Sequence, residues 1–197
     1  MKSSNAHAYV SRGGDKLAAA LDHFGLDVQG RICADLGSHV GGFVDCLLRR
    51  GAGRVYSVDT AYGLLAWKLR KNPSVVVMER TNAMHVVLPE KVELVTVDVA
   101  WTTQSNILPN VTRMMVASAK VVALIKPHYE AQRLGADASA GLSPVKGVLP
   151  DEAVDEVVLE VMHRMAKTGW SVLDRVDSPL RGHGGNREVF ALLTRRE

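Results

Sequence analysis

Short, nearly unbroken apolar runs alternate along this chain with stretches whose apolar positions recur every three to four residues. Arg31–Leu36, Arg54–Asp59, Val75–Met78, Val92–Val99 and Lys120–Ile125 are rich in β-branched residues and read as strands covered on both faces. Between them, Leu17, Leu21 and Phe24 share a helical face, as do Phe43, Leu47 and Leu48 ahead of Gly51. Leu64, Leu65, Trp67 and Leu69 fill a further helical stretch closed by Asn72-Pro73, with Trp67 expected in the core. Asp151–Lys167 reads as the longest helix, with Val154, Val157, Val158, Val161 and Met165 on its apolar stripe and Gly169 as its stop. Trp170–Val176 and Glu188–Thr194 follow with no helix between them, a hairpin around the loop Pro179–Asn186. The pattern predicts an α/β fold: a mostly parallel sheet of these strands, helices on both faces, and an antiparallel C-terminal hairpin. Ala131–Ser143, dominated by Ala, Gly, Ser and Leu, fits either a mobile loop closing over a site or a plain surface connection.

Composition narrows the class. The chain has 197 residues, 47% hydrophobic and 23% charged, which excludes a disordered chain, a collagen-like repeat and a disulfide scaffold. A net charge of +3 permits a nucleic-acid partner without demanding one. Cys33 and Cys46 fit no zinc or redox spacing and lie in apolar stretches, so buried reduced thiols are expected. The start has no apolar signal core, and no run approaches the roughly 18 residues of a membrane span. A cytoplasmic chain with no membrane partner is the expectation. The histidines show no paired ligand spacing, so no metal is expected; His39 and His128 flank the candidate site.

In open α/β sheets ligands bind beyond the carboxyl ends of the strands. The first such turn reads Asp35-Leu36-Gly37-Ser38-His39-Val40-Gly41-Gly42-Phe43. Its glycines allow a sharp turn and close backbone approach. It is neither G-x-G-x-x-G nor a P-loop, which disfavours a dinucleotide or a bare phosphate. The second strand ends in Asp59, where an acid can accept hydrogen bonds from ribose hydroxyls. A nucleoside ligand without a pyrophosphate fits this pair of acids. S-adenosyl-L-methionine is such a ligand, because its sulfonium and ammonium cations gain nothing from an anion-binding loop. Helix capping by Asp35 and Asp59 is the competing structural role.

Four further polar residues stand at costly places. Asp98 follows the apolar run Leu94–Val97, Lys126 ends Val121–Ile125, and Glu188 opens the last strand. Lys16 falls in the first turn of a helix expected to begin near Asp15, where the helix dipole favours the neutral amine. Two lysines and two carboxylates on one rim would make a proton-transfer site, with one lysine neutral to accept a proton from a ribose 2′-hydroxyl. Two ordinary salt bridges at strand ends are the alternative.

The segment Tyr9-Val10-Ser11-Arg12-Gly13-Gly14-Asp15-Lys16-Leu17 resembles the Y-V-S-R-G-G-x-K-L block of the TlyA/hemolysin A group of FtsJ-like RNA ribose 2′-O-methyltransferases. The resemblance continues through Asp35–Phe43, Gly51–Asp59, Gly63–Arg70, Glu79–Ala83 and Ile125–Glu130, and closes at Gly185-Asn186-Arg187-Glu188. It implies a Rossmann-like, seven-stranded S-adenosylmethionine-dependent methyltransferase fold over residues 9–197, after an extension of residues 1–8. It also implies a Lys-Asp-Lys-Glu tetrad at Lys16, Asp98, Lys126 and Glu188, with Lys126 as the central base. Cofactor-binding positions would be Asp35, Gly37, Ser38, Gly41, Gly42, Phe43, Asp59, Asp98 and, near the adenine, Asn82. The implied partner is RNA, in particular ribosomal RNA or a ribosomal subunit.

The family's RNA-binding S4 domain has no counterpart before Tyr9, so a partner protein taking its place, or another surface, is expected to hold the RNA. The Ser38-His39-Val40 segment departs from the family's small residues. That departure leaves open a weakly active or inactive RNA- or ribosome-binding protein of the same fold. Candidate RNA-facing cations are Arg12, Lys68, Arg70, Lys71, Arg113 and Lys120, and Trp67 and Trp101 are candidates to stack on a base. The family name alone suggests a membrane-active hemolysin, which no segment supports.

Overall fold

A computed structural model describes residues 8–134 and 147–196. Helix α1 (Arg12–His23) leads into β1 (Ile32–Leu36), α2 (Gly42–Arg49), β2 (Arg54–Val58), the one-turn α3 (Trp67–Arg70) and β3 (Val75–Met78). Then come β4 (Val92–Val97), α4 (Gln104–Met114), β5 (Met115–Ile125), α5 (Pro127–Leu134), α6 (Asp151–Lys167), β6 (Trp170–Asp177) and β7 (Val189–Arg195). The strands form one sheet of seven in the order β3-β2-β1-β4-β5-β7-β6. From β3 to β5 all neighbours are parallel. β7 is antiparallel to both β5 and β6, so the last strand lies inside the sheet and β6 forms the edge. The order reverses between β1 and β4, which opens a crevice at their carboxyl ends.

Each face of the sheet is covered because its residues are apolar on both sides. On one face Leu17, Leu21, Phe43 and Leu47 of α1 and α2 pack against Val55, Leu94, Val122 and Phe190. On the other, Ile107, Leu108 and Val111 of α4 and Val154, Val157 and Val161 of α6 pack against Tyr56, Val95, Val121 and Ala191. Cys33 and Cys46 are free, buried thiols, and burial pushes them up to about 12 and about 11 respectively.

Four expectations need correction. Trp67 is 66% exposed rather than core, and Leu64 is 43% exposed; only Leu65 and Leu69 of that stretch are buried. Helix α1 begins at Arg12, so Lys16 sits beyond its first turn. Ala131–Leu134 continue α5 rather than a loop, and the rest of the segment to Ser143 lies outside the described residues. Helix α4 was not expected, because Pro109 interrupts its pattern and no residue of its own caps it. The Glu130 carboxylate supplies the cap from α5, accepting the Gln104 N–H at 2.9 Å.

Candidate active site

Asp35, at the end of β1, is fully buried. Its Oδ1 accepts the Thr96 hydroxyl at 2.7 Å, while Oδ2 has no partner. Burial raises its pKa to about 7, against the lowering effect of the Thr96 hydrogen bond and the nearby Ser38 hydroxyl, which itself donates to the Asp35 carbonyl, and with a further push from the charges of Asp98 and Asp59. The carboxylate borders a cavity of about 210 Å³ lined also by Gly37, Ser38, His39, Phe43, Lys16 and Asp98. Gly37 has φ +92°, and a Cβ there would stand 2.3 Å from the Asp98 carbonyl oxygen, so the loop can pass β4 only as glycine. At Gly42 a Cβ would meet the Ser11 hydroxyl at 2.2 Å, which is how the Ser11-Arg12-Gly13-Gly14 turn closes onto the start of α2. Gly41 is the N-cap residue of α2, and Phe43 packs on Phe190 with ring centroids 6.0 Å apart.

Asp59 follows β2. Its Oδ2 accepts the His39 N–H at 2.7 Å and its Oδ1 the Ala61 N–H at 2.8 Å. It lines a narrow cleft of about 10 Å³ with Thr60, Thr81, Ala83 and Trp101. Asn82 does not line that cleft; its side-chain oxygen accepts the Met84 N–H at 2.8 Å in a tight turn. His39 (φ 49°) and Arg80 (φ 52°) are the two non-glycine residues with left-handed backbones among the described residues.

The rim beyond β4, β5 and β7 gathers the four candidate proton-transfer residues. Lys126 Nζ stands 2.6 Å from Asp98 Oδ1. Lys16 Nζ donates to Glu188 Oε2 at 2.6 Å, with side chains 11% and 4% exposed. Lys16 thus reaches the same rim from α1, and the reason expected for its neutrality, a first-turn position, does not hold. Burial disfavours the Lys126 ammonium, yet the charge and hydrogen bond of Asp98 and the charge of Glu188 outweigh it and raise its pKa. The Lys126–Asp98 pair therefore rests as an ion pair.

The loop before Glu188 is pinned by Asn186, which accepts the Leu149 N–H at 2.9 Å and donates to the carbonyls of Gly147 and His183. Arg181 pairs with Asp151 at 2.5 Å and Arg187 with Asp177 at 2.9 Å. Asn186 and Thr96 are roles that the sequence reading missed. The only signal was a Thr within the apolar run Leu94–Val97 and an Asn beside Glu188. His128 is buried beside Lys126 with neither ring nitrogen partnered. Burial, then the Lys126 charge, lowers its pKa to about 4, so the ring is neutral. Glu130 is pushed up to about 7 by burial. Of the candidate RNA-facing cations, Lys120 donates to Thr194 within the sheet. Arg113 lines a separate cavity of about 420 Å³ with His85–Lys91, the residues that lead into the amino end of β4.

The sheet order, with an antiparallel last strand beside β5, is the Rossmann-like fold of methyltransferases. The N-methyltransferase NodS from Bradyrhizobium japonicum shares it at 14% identity, with a TM-score of 0.63 over 95% of this chain and 99% of that one. The model of the FtsJ-like methyltransferase family matches residues 9–195. The 16S/23S rRNA (cytidine-2′-O)-methyltransferase TlyA of Mycobacterium tuberculosis (strain CDC 1551 / Oshkosh) is 39% identical over 191 residues, covering 94% of this chain and 68% of that protein. A solved hemolysin-like protein from Streptococcus thermophilus superposes with a TM-score of 0.89 at 32% identity, covering 98% of this chain and 70% of that one. The chain belongs to the FtsJ-like methyltransferases, in the group that holds TlyA and hemolysin A. Among the described residues no helix is long and apolar enough to cross a membrane.

Proposed function

We propose that the chain is an S-adenosylmethionine-dependent methyltransferase acting on a ribose 2′-hydroxyl of ribosomal RNA, the reaction for which its Mycobacterium tuberculosis relative is named. The observation that carries this reading is the pairing of Lys126 with Asp98 and of Lys16 with Glu188 beside a cavity into which the buried Asp35 presents an unpartnered oxygen. Such an oxygen suits a cation, and S-adenosylmethionine carries two. When bound, that cofactor supplies the methyl group of its sulfonium.

Asp35, Gly37, Ser38, Gly41, Gly42 and Phe43 form the loop that would hold its amino-acid end, and Asp59 and the turn at Asn82 the nucleoside end. Asp98 borders the cavity and also holds Lys126, so a second cation beside it weakens its hold on the Lys126 ammonium. Lys126 would then release its proton to solvent and, as the neutral amine, accept the one on the ribose 2′-oxygen. Lys16, Glu188 and Asp98 hold the amine in place, and the proton taken from the ribose returns it to its charged form. Calorimetric titration with S-adenosylmethionine, followed by transfer of labelled methyl to ribosomal subunits, tests this. Binding and transfer by the wild type with loss of transfer in Lys126→Ala is the expected result; absence of cofactor binding, or undiminished transfer by the variant, overturns it.

A further inference from the structure

Tyr62 and Trp67 are the most exposed aromatic side chains among the described residues, at 67% and 66%. Both lie on the segment that leaves β2 and forms α3. Each ring carries a cation: the Arg80 guanidinium is 4.2 Å from the Tyr62 centroid, and the Lys71 amine is 4.9 Å from that of Trp67. Neighbouring Lys68 and Arg70 are paired with Asp45 at 3.0 Å and Glu79 at 2.5 Å. Arg80 and Lys71 have no carboxylate partner among the described residues. The unpaired charge beside the rings is therefore positive, and the two rings are the most exposed apolar side chains of the segment, with Leu64 less so at 43%.

The patch is held in place. Arg80 takes a left-handed backbone that arginine rarely adopts, fixed by its N–H to the Ala61 carbonyl at 3.1 Å and by the Thr81 N–H to the Asp59 carbonyl at 2.9 Å. Those bonds tie it to the carboxyl end of β2, on the rim that also holds Asp98 and Lys126. β3 and β5 are four strand spacings apart in the sheet, about 19 Å at the usual separation.

We propose that Tyr62 and Trp67, with Arg80 and Lys71, form a stacking platform for unpaired bases of the RNA strand that flanks the methylated nucleotide. This rests on RNA being the substrate. A base is a flat ring that stacks on an aromatic face, and its phosphates meet the two unpaired cations. An apolar protein surface would instead leave both cations desolvated and unpaired.

The test compares the wild type with the double variant Tyr62→Ala/Trp67→Ala, using a short single-stranded oligoribonucleotide, the same strand in a duplex, and ribosomal subunits. The double variant should bind the single strand about tenfold or more weakly. Its KM for ribosomal RNA should rise in step while kcat and cofactor affinity hold. Trp67→Phe and Tyr62→Phe should keep most of the affinity. In the wild type, the part of the tryptophan emission that Trp67→Phe removes should be quenched by the single strand, a readout that stands even if the double variant fails to fold. Equal binding by wild type and double variant, or no quenching while the wild type binds and methylates RNA, overturns the platform and leaves the RNA substrate standing. A wild type that binds neither the oligonucleotide nor ribosomal RNA overturns both. A change in self-association with unchanged RNA binding overturns the platform in favour of a protein contact.

Discussion

The two halves of the crevice use carboxylates in opposite ways. At the ends of β1 and β2, Asp35 and Asp59 have no ion-pair partner among the described residues: one holds an orphaned oxygen in a buried site, the other is met by two backbone amides. At the end of β4 and the start of β7, Asp98 and Glu188 each touch a lysine at 2.6 Å. The residue type and the position on the sheet are the same, but the neighbour decides the task. An acid without a cation is a place for a ligand's cation. An acid with a lysine sets where a proton sits.

The comparison predicts that the halves fail separately. The largest effect is expected from Lys126→Ala, with methyl transfer reduced about a thousandfold, within the range for loss of a general base, and cofactor affinity kept. Single-turnover transfer beside calorimetry checks this, and equal losses in both would merge the halves. Glu188→Gln leaves the Lys16 ammonium buried without its counter-charge, which costs about 3–5 kcal/mol. That corresponds to a melting temperature lower by roughly 6–20 °C for a chain of this size. Lys16→Met/Glu188→Leu should recover most of the loss without recovering activity.

Asp35→Asn should weaken cofactor binding about tenfold and alter its pH dependence. A folded pKa of about 7, above the ordinary carboxyl value of 3.8, means the folded chain holds this proton more tightly than the unfolded chain. The stability it confers is full below pH about 4 and lost as pH rises through about 7. Glu130 adds a loss of the same sign as it titrates towards about 7. Thermal unfolding across this window should therefore slope downward with pH, and less so in Asp35→Asn. Cofactor affinity should rise with pH to about 7 in the wild type and stay flat in the variant. The smallest effect is expected from Asp59→Asn, a few-fold loss of cofactor affinity, because an amide oxygen can still accept one of the two backbone N–H groups. A larger loss than in Asp35→Asn would invert the assignment of the two acids.

Strands and long helices were legible because their signal is local: apolar runs such as Val121–Ile125 and the valine stripe of α6. The acids at strand ends were legible for the same reason, as polar residues that end apolar runs. What escaped was set by distant partners. Helix α4 takes its cap from Glu130, and Pro109 masks its period. The family resemblance places Lys16 in the tetrad, whereas the crossing of α1 to β7 that brings it to the rim follows from no spacing along the chain. Trp67 looked like core because leucines surround it, but α3 is a single turn and buries only Leu69 among its own residues. The insertion of β7 between β5 and β6 is likewise invisible to a pattern that ranks strands only by order of appearance.

That insertion also fixes when the molecule becomes competent. Lys16 and Glu188 are 172 residues apart, and they meet only once β7 has slotted in beside β5. At about 5–20 residues per second, a ribosome takes roughly ten to thirty seconds to make the stretch between them. Once Asp59 has been made, the emerging polypeptide holds both unpaired acids, while its reaction centre still lacks the Glu188 carboxylate. Competence therefore waits for Glu188 and β7, however early the parallel strands assemble.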